Sequence, residues 1–421
     1  MAVVNRVQLS DAIAHNRFSA EFFDPRYVFL PSPSVEWAPI GRQLTKCEYG
    51  LSISMNSVGR GFPIFRMNEI EGCFALRPEK YADIPGVVFQ EYALCENDVL
   101  FNRTNSFEFV GRTGLVKDQT DCTFASYLIR LVPDTDKLLP EFLTIYLNTN
   151  FGIGQVKRRA MRSINQANVS GSEVRKILIP VLPLSVQQEI ADLVNAGFMR
   201  QRQGLASYAQ AHKLLEAELG LDKFRFQKPV GYTARLSEIE GSRRFDAEYY
   251  FPSFLAFRSG LPHGISLSPL SDYLDFCQRG KQPNYSKTGL PVINSKHVQP
   301  NRVLNEGNRL ARPNPDANLQ IRSGDTLLNG TGRGTIGRAA PYLNKTFAVA
   351  DNHVTILRSM KLDPAYLALY LNSPAGQMQV EMHQRGSSGQ LELYPFDIRK
   401  FLACIIREGV SERDSCVVCG V

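Results

Sequence analysis

The chain repeats itself. Residues 17–25, RFSAEFFDP, return at 244–252 as RFDAEYYFP, a displacement of 227. GFPIF at 61–65 answers GLPVI at 289–293, displaced by 228, and NDVLFNRT at 97–104 answers GDTLLNGT at 324–331, displaced by 227. Gly111-Arg112 answers Gly337-Arg338, Thr123-Phe-Ala answers Thr346-Phe-Ala, and Tyr146-Leu-Asn answers Tyr370-Leu-Asn. Val174-Arg-Lys answers Ile398-Arg-Lys, with the displacement now 224. An offset that drifts by only a few residues over so long a stretch implies two copies of one domain. A length of 421 residues, too long for one ordinary core, agrees.

Inside each copy, short β-prone runs such as 99–101 and 124–131 are separated by Gly, Asn, Asp and Pro turn signals. A helical stretch follows a proline near each end, at 141–148 and 365–372. The expected fold is α+β, with two tandem domains of mixed β-structure and helices. Between them, residues 186–219 contain no proline, and Ile190, Val194, Leu205, Tyr208, Leu215 and Leu219 recur at threes and fours. That spacing predicts a long helix with an apolar stripe that seeks a partner helix. The boundaries read as 1–183 for the first domain, 184–221 for the helix, 222–237 for a linker and 238–400 for the second domain. Residues 401–421 form an atypical tail that carries no second helix start.

The run NGTGRGTIGR at 329–338 contains a formal G-x-G-x-x-G, which opens one alternative: a nucleotide-dependent enzyme using Gly330–Gly337. The repeat argues against it. The first-copy counterpart, NRTNSFEFVGR at 102–112, lacks most of the glycines, and a phosphate cradle has no room for side chains there. Pro341 also opposes the helix that a dinucleotide turn must open. A hairpin loop between strands tolerates both versions. No Walker lysine, H-E-x-x-H or Gly-x-Ser-x-Gly elbow occurs. The six histidines are isolated in sequence, and Cys416-Val-Val-Cys419 has no second pair, so no metal site is expected. The chain reads as a binding protein and not an enzyme. A tandem-repeat binder of some ligand other than DNA is the second alternative.

Net charge is +7, compatible with a polyanionic partner. Lys157-Arg158-Arg159-Ala-Met-Arg162 gathers four cations in six residues and runs into Asn165-Gln166. No apolar run is long enough to cross a bilayer, and the start resembles no signal peptide, so a cytoplasmic location is expected.

The passage Val174-Arg-Lys-Ile-Leu-Ile-Pro-Val-Leu-Pro-Leu-Ser-Val-Gln-Gln-Glu-Ile190, with the paired loops at 98–114 and 325–338, resembles the DNA-specificity subunits of type I restriction–modification systems. The likeness extends over nearly the whole chain to about residue 400. It implies two target-recognition domains, each followed by a conserved spacer helix, that read a bipartite double-stranded DNA target. It further implies two methylation subunits and a restriction/translocase subunit as partners. S-adenosylmethionine, ATP and Mg would sit on those partners, and no cofactor on this chain. Cations would set register on phosphates while Arg, Asn and Gln read base edges. Lys157, Arg158, Arg159, Arg162, Asn165 and Gln166 form the first expected contact segment, answered in the second copy by Arg385 and Gln390. Arg103, Arg112, Arg333 and Arg338 come next. With no second spacer helix after residue 400, Ile190, Val194, Leu205, Tyr208 and Leu215 would lack their partner. A homodimer through residues 186–219, or poor solubility until a methylation subunit covers the stripe, is the expected consequence.

Overall fold

The computed structural model describes residues 5–406 apart from 119–120, 165, 222–223, 225–229, 260, 262–264, 306, 315 and 387–390. The chain forms two compact units, Met1–Gly204 and Leu205–Val421.

In the first unit Leu128–Pro133 lies antiparallel between Leu44–Tyr49 and Val99–Asn102, and Thr113–Leu115 pairs with the far side of Val99–Asn102. Val99, Phe101, Ile129 and Leu131 alternate onto one face of this sheet, as period-2 side chains do, and are fully buried. Two helices cover them, Pro140–Asn148 and Asn150–Arg159, contributing Phe142, Leu143, Leu147 and Val156 to the same cluster. The second unit repeats the plan. Val354–Arg358 lies between Phe276–Arg279 and Asp325–Asn329, with Ala339–Tyr342 beyond, under Pro364–Asn372 and Pro374–His383.

The expected helices near 141–148 and 365–372 are present, each opening on a proline at its first turn. The helix after each of them escapes sequence reading, because Gly152 and Gly154 weaken the helical pattern. Packing decides it. A Cβ at Gly152 would meet the Tyr146 carbonyl oxygen at 2.2 Å, and one at Gly376 the Tyr370 oxygen at 2.4 Å. Thr149 and Ser373 cap these second helices by accepting from the Gly152 and Gly376 amides.

The same polar fastenings recur in both units. Gln155 donates to the Tyr146 hydroxyl and to Leu178 O while accepting from Leu178 N. Gln379 does the same with Tyr370 and Leu402. Asn148 brackets Thr113, accepting its amide proton and donating to its carbonyl, as Asn372 brackets Ala339. Buried ion pairs Asp98–Arg130 at 2.9 Å and Asp325–Arg358 at 2.7 Å close the start of the equivalent strands. One sequence match is out of register, however. Thr123 pairs with Ile64, whose repeat counterpart Val292 pairs with Val349, three residues beyond Thr346. The two Thr-Phe-Ala strings are therefore a coincidence of letters.

The long helix runs Leu184–Glu218. Its stripe is not orphaned as expected. Val194 is buried and Ile190 packs against the first unit's core, while Leu215 and Leu219 are buried in a cluster of the second unit with Tyr370 and Met378. Tyr208 is half-buried and Leu205 exposed. Each unit has taken part of the stripe for its own core. Gln187 explains the Gln-Gln helix entry: its amide donates to Lys137 O and Leu182 O, and its oxygen accepts from Leu139 N. Beyond the second domain's last short helix, Leu402–Ile406 pairs with Ile265–Pro269, so the chain after residue 400 begins as a core strand. The remainder of the expected tail, with Cys416 and Cys419, lies outside the described residues.

Candidate nucleic-acid interface

The glycine run is a hairpin loop. Asp325–Asn329 leads through it into Ala339–Tyr342, an antiparallel partner and not a helix, so the dinucleotide-turn alternative has no structural basis. Main-chain bonds close the base identically in both units. Asn102 N donates to Arg112 O and Gly111 N to Asn102 O; Asn329 N donates to Arg338 O and Gly337 N to Asn329 O. Gly111 and Gly337 need their glycine twice over. Both have positive φ, 95° and 83°, and a Cβ would strike Val156 at 2.6 Å or Val380 at 2.9 Å on the covering helix.

In the first unit the loop joins a second hairpin. Thr104–Asn105 pairs with Ala167–Asn168, which pairs with Met161–Arg162, making one three-stranded sheet. The hairpin tip, closed by Ser163 N donating to Gln166 O, carries an almost fully exposed Ile164 and an exposed Gln166; Asn165 lies outside the described residues. Loop 103–112 and hairpin 161–168 thus present one surface. In the second unit Thr331 and Arg385 both bridge to Glu392, so the same arrangement recurs; Gln390 lies outside the described residues.

The expected cations divide into two groups. Lys157 points inward and is 6% exposed. Its ammonium donates to Phe107 O, to Glu108 O at 3.0 Å and to Val110 O at 2.9 Å, fastening the loop from behind. Burial, with Arg112 and Arg162 nearby, pushes this amine down to about 8. Arg159 donates to Gln155 O and Lys176 O, and burial lowers its guanidinium to about 10. Arg158 donates to Phe22 O and stacks on the Phe22 ring at 4.2 Å. Arg103 spans Ser126 O and Asn168 Oδ1 above the Tyr49 ring. Arg338 holds Gln299, and Arg385 grips Asp397 through both Nε and Nη2. A solvated phosphate-binding role does not fit Lys157 or Arg159: three successive cations at the end of a helix necessarily point in several directions, and Arg162 lies on the strand beyond it. The second group faces water. Arg112 is exposed over Phe109, Arg162 lies 3.5 Å above Phe107, and Arg333 is exposed in the glycine loop.

Two flanking residues escaped sequence reading. Tyr127 is exposed and accepts the Arg103 amide proton; His353 occupies the same place in the second unit, accepts from Gly330 N, and lies 2.7 Å from the Thr331 hydroxyl. The signal for them is the displacement of 226 between Tyr127 and His353, each just before one of the equivalent strands Leu128–Pro133 and Val354–Arg358, hidden because the residue types differ. Among the described residues no cluster of three or more potential metal ligands occurs, and no helix is long and apolar enough to cross a membrane.

Residues 60–196 match the type I restriction modification DNA specificity domain, a stretch that contains both the loop and the hairpin. The type I restriction enzyme MjaX specificity subunit of Methanocaldococcus jannaschii is 27% identical over 150 residues, covering 35% of each chain. The EcoKI specificity subunit of Escherichia coli is 27% identical over 159 residues, 37% of this chain and 34% of that one. These matches span about a third of the length of the curated relatives. The HsdS subunit from Thermoanaerobacter tengcongensis aligns over 89% of this chain and 88% of its own, at 17% identity and a TM-score of 0.31. The S subunit from M. genitalium aligns over 89% and 88%, at 11% identity and a TM-score of 0.39. Residues 60–196 therefore carry the likeness to type I restriction–modification DNA-specificity subunits.

Proposed function

We propose that the chain is the non-catalytic subunit that reads a bipartite DNA target, one half-site per unit, and directs adenine methylation and cleavage by partner subunits. The observation that carries this reading is the surface of loop 103–112 and hairpin 161–168, which lies wholly inside the matched DNA-specificity domain. Exposed Arg112, Arg162 and Arg333 supply phosphate or base contacts, Gln166 at the hairpin tip is a base-edge reader, and Arg103, Arg158, Arg338 and Arg385 brace the surface. Two methylation subunits and one restriction/translocase subunit are the expected partners; S-adenosylmethionine, ATP and Mg belong to them. The complex acts on cytoplasmic DNA. The long helix pairs with that of a second copy through its exposed side, which carries Leu193 and Leu214.

The test is a salt titration. The slope of log K against log salt falls by about two units in the Arg112→Gln, Arg162→Gln double variant, since each phosphate contact contributes ~0.9. Lys157→Met leaves the slope unchanged. A double variant with an unchanged slope removes this surface from DNA. Sequencing of methylated sites, with the methylation subunit present, then reports the target.

A further inference from the structure

Loop and hairpin meet at a seam, and the two units build that seam from different residues. In the first unit Arg103 lies in it. Its Nη1 donates to Ser126 O at 3.1 Å and its Nη2 to Asn168 Oδ1 at 3.0 Å, with the guanidinium 4.7 Å from the centre of the Tyr49 ring. The backbone identifies the counterparts in the second unit. Arg103 N donates to Tyr127 O and Arg103 O accepts from Val169 N; Gly330 N donates to His353 O and Gly330 O accepts from Leu393 N. Gly330 therefore stands where Arg103 does, with no side chain. Tyr49 pairs with Ile129, which pairs with Phe101 on its other side. Arg279 pairs with Thr355, which pairs with Leu328, the residue that answers Phe101. Arg279 therefore stands where Tyr49 does.

The guanidinium has changed strands and kept its place. Arg279 Nη2 donates to Leu393 O at 2.9 Å, and Nη1 lies 3.5 Å from Glu392 Oε2. Glu392 holds the position of Asn168, since it bridges to Arg385 as Asn168 pairs with Met161. A Cβ at Gly330 would come within 3.3 Å of Arg279 Nη2, so the space that the Arg103 side chain enters is filled here from the strand. The aromatic ring has moved as well. Arg279 lies over Tyr394, 5.1 Å from its centre, and Tyr394 follows Leu393 as Ser170 follows Val169. The Tyr49 hydroxyl accepts from Gly171 N at 2.7 Å. Gly171 and Pro395 open equivalent four-residue helices, and Pro395 has no N–H to offer such a hydroxyl. Four positions have changed together. What survives is a guanidinium on an aromatic ring, tied to the base of the hairpin.

In both units the Nε of this arginine is buried with no partner among the described residues. A bare buried donor costs stability, so stability alone does not account for the group. Its planar fork does: it fixes a direction between two acceptors, which a lysine ammonium does not. We infer that Arg103 and Arg279 are positioning residues with the same work, one in each unit. Each sets the hairpin against the loop at the angle at which that unit reads its half-site, and either strand can supply the guanidinium. The inference rests on the proposed DNA-reading function and assigns a positioning group to each half of it.

The full chain, with the methylation subunit present, is offered duplexes of randomised sequence, and the bound duplexes are sequenced. Wild type should select two motifs. Arg103→Gly should erase one motif and leave the other. Preference for the selected duplex over a scrambled one should fall by roughly tenfold, the discrimination lost with a misplaced base contact. Adding Tyr49→Arg to Arg103→Gly should restore the same motif. Reciprocally, Arg279→Tyr should erase the other motif, and Gly330→Arg added to it should bring that motif back. Arg103→Lys and Arg279→Lys keep the charge without the fork, should erase the motifs likewise, and carry the test if the first variants unfold. Thermal unfolding is followed for every chain. A guanidinium that serves stability alone shifts unfolding and erases no motif. One that touches a base is not replaced from the opposite strand, so its motif stays lost or changes. Either result overturns the inference, while two wild-type motifs uphold the DNA-reading function. A wild type that selects no motif removes that function, and the inference with it.

Discussion

Lys157 shows how one side chain can be assigned the wrong work by its neighbours in sequence. Beside Arg158 and Arg159 it reads as a phosphate contact, but it occupies a site made of three carbonyls. Lys157→Met removes those donors and releases the loop that carries Phe107. The expected result is a loss of discrimination between specific and nonspecific DNA at constant salt slope, checked by competition binding. Histidines supply a second residue-scale prediction. Burial pushes His297 and His383 down to about 4, both in the second unit. Between about pH 6.5 and pH 4 the unfolded chain binds protons that the folded unit does not, so stability falls as pH falls through this window. The urea midpoint of the second unit should therefore drop on acidification. His297→Gln with His383→Gln should flatten that pH dependence even though it lowers the midpoint at neutral pH.

The long helix is the element whose role changes most between pattern and structure. Its buried positions belong to the units at its two ends, so Val194→Glu or Leu215→Glu would bury an unpaired charge and unfold a unit at a cost of several kcal/mol. Leu193 and Leu214 are exposed and lie on a different side of the helix, facing solvent together with Gly197 and Gly204, whose added Cβ atoms would meet nothing. If two copies pair through the helix, Leu193→Glu with Leu214→Glu converts dimer to monomer in light scattering while both units keep their unfolding temperatures. A dimer that survives this pair of changes uses another surface.

At the scale of the molecule, the repeat means that stability is built twice. The Gln155–Tyr146–Leu178 and Gln379–Tyr370–Leu402 networks each lie within one unit. Replacing Gln155 with Ala leaves the Leu178 amide without its side-chain partner and should cost ~1–3 kcal/mol. The expected outcome is two transitions in calorimetry, with Gln155→Ala lowering one and Gln379→Ala the other. A single transition lowered equally by both would mean that the units unfold as one.

The sequence alone determined the two-copy plan, the prolines that open the helices at Pro140 and Pro364, and the helix entry near Gln187. Each is a local signal or a match between distant strings, legible without knowing what touches what. It also exposed the glycine run as a loop, because Asn102–Gly111 and Asn329–Gly337 tolerate different fillings between the same ends. Tertiary structure alone decided that Gly152 and Gly376 sit inside helices, that the Thr346 match is out of register, and that Val194 and Leu215 are already covered. It alone divided the cations into those that brace, such as Lys157 and Arg103, and those that face water, such as Arg112 and Arg162. The physical reason is common to all of these. A charged or apolar side chain has the same propensity wherever it stands, and its work is set by what the fold brings within a few ångströms of it, which here comes from strands and loops tens of residues away.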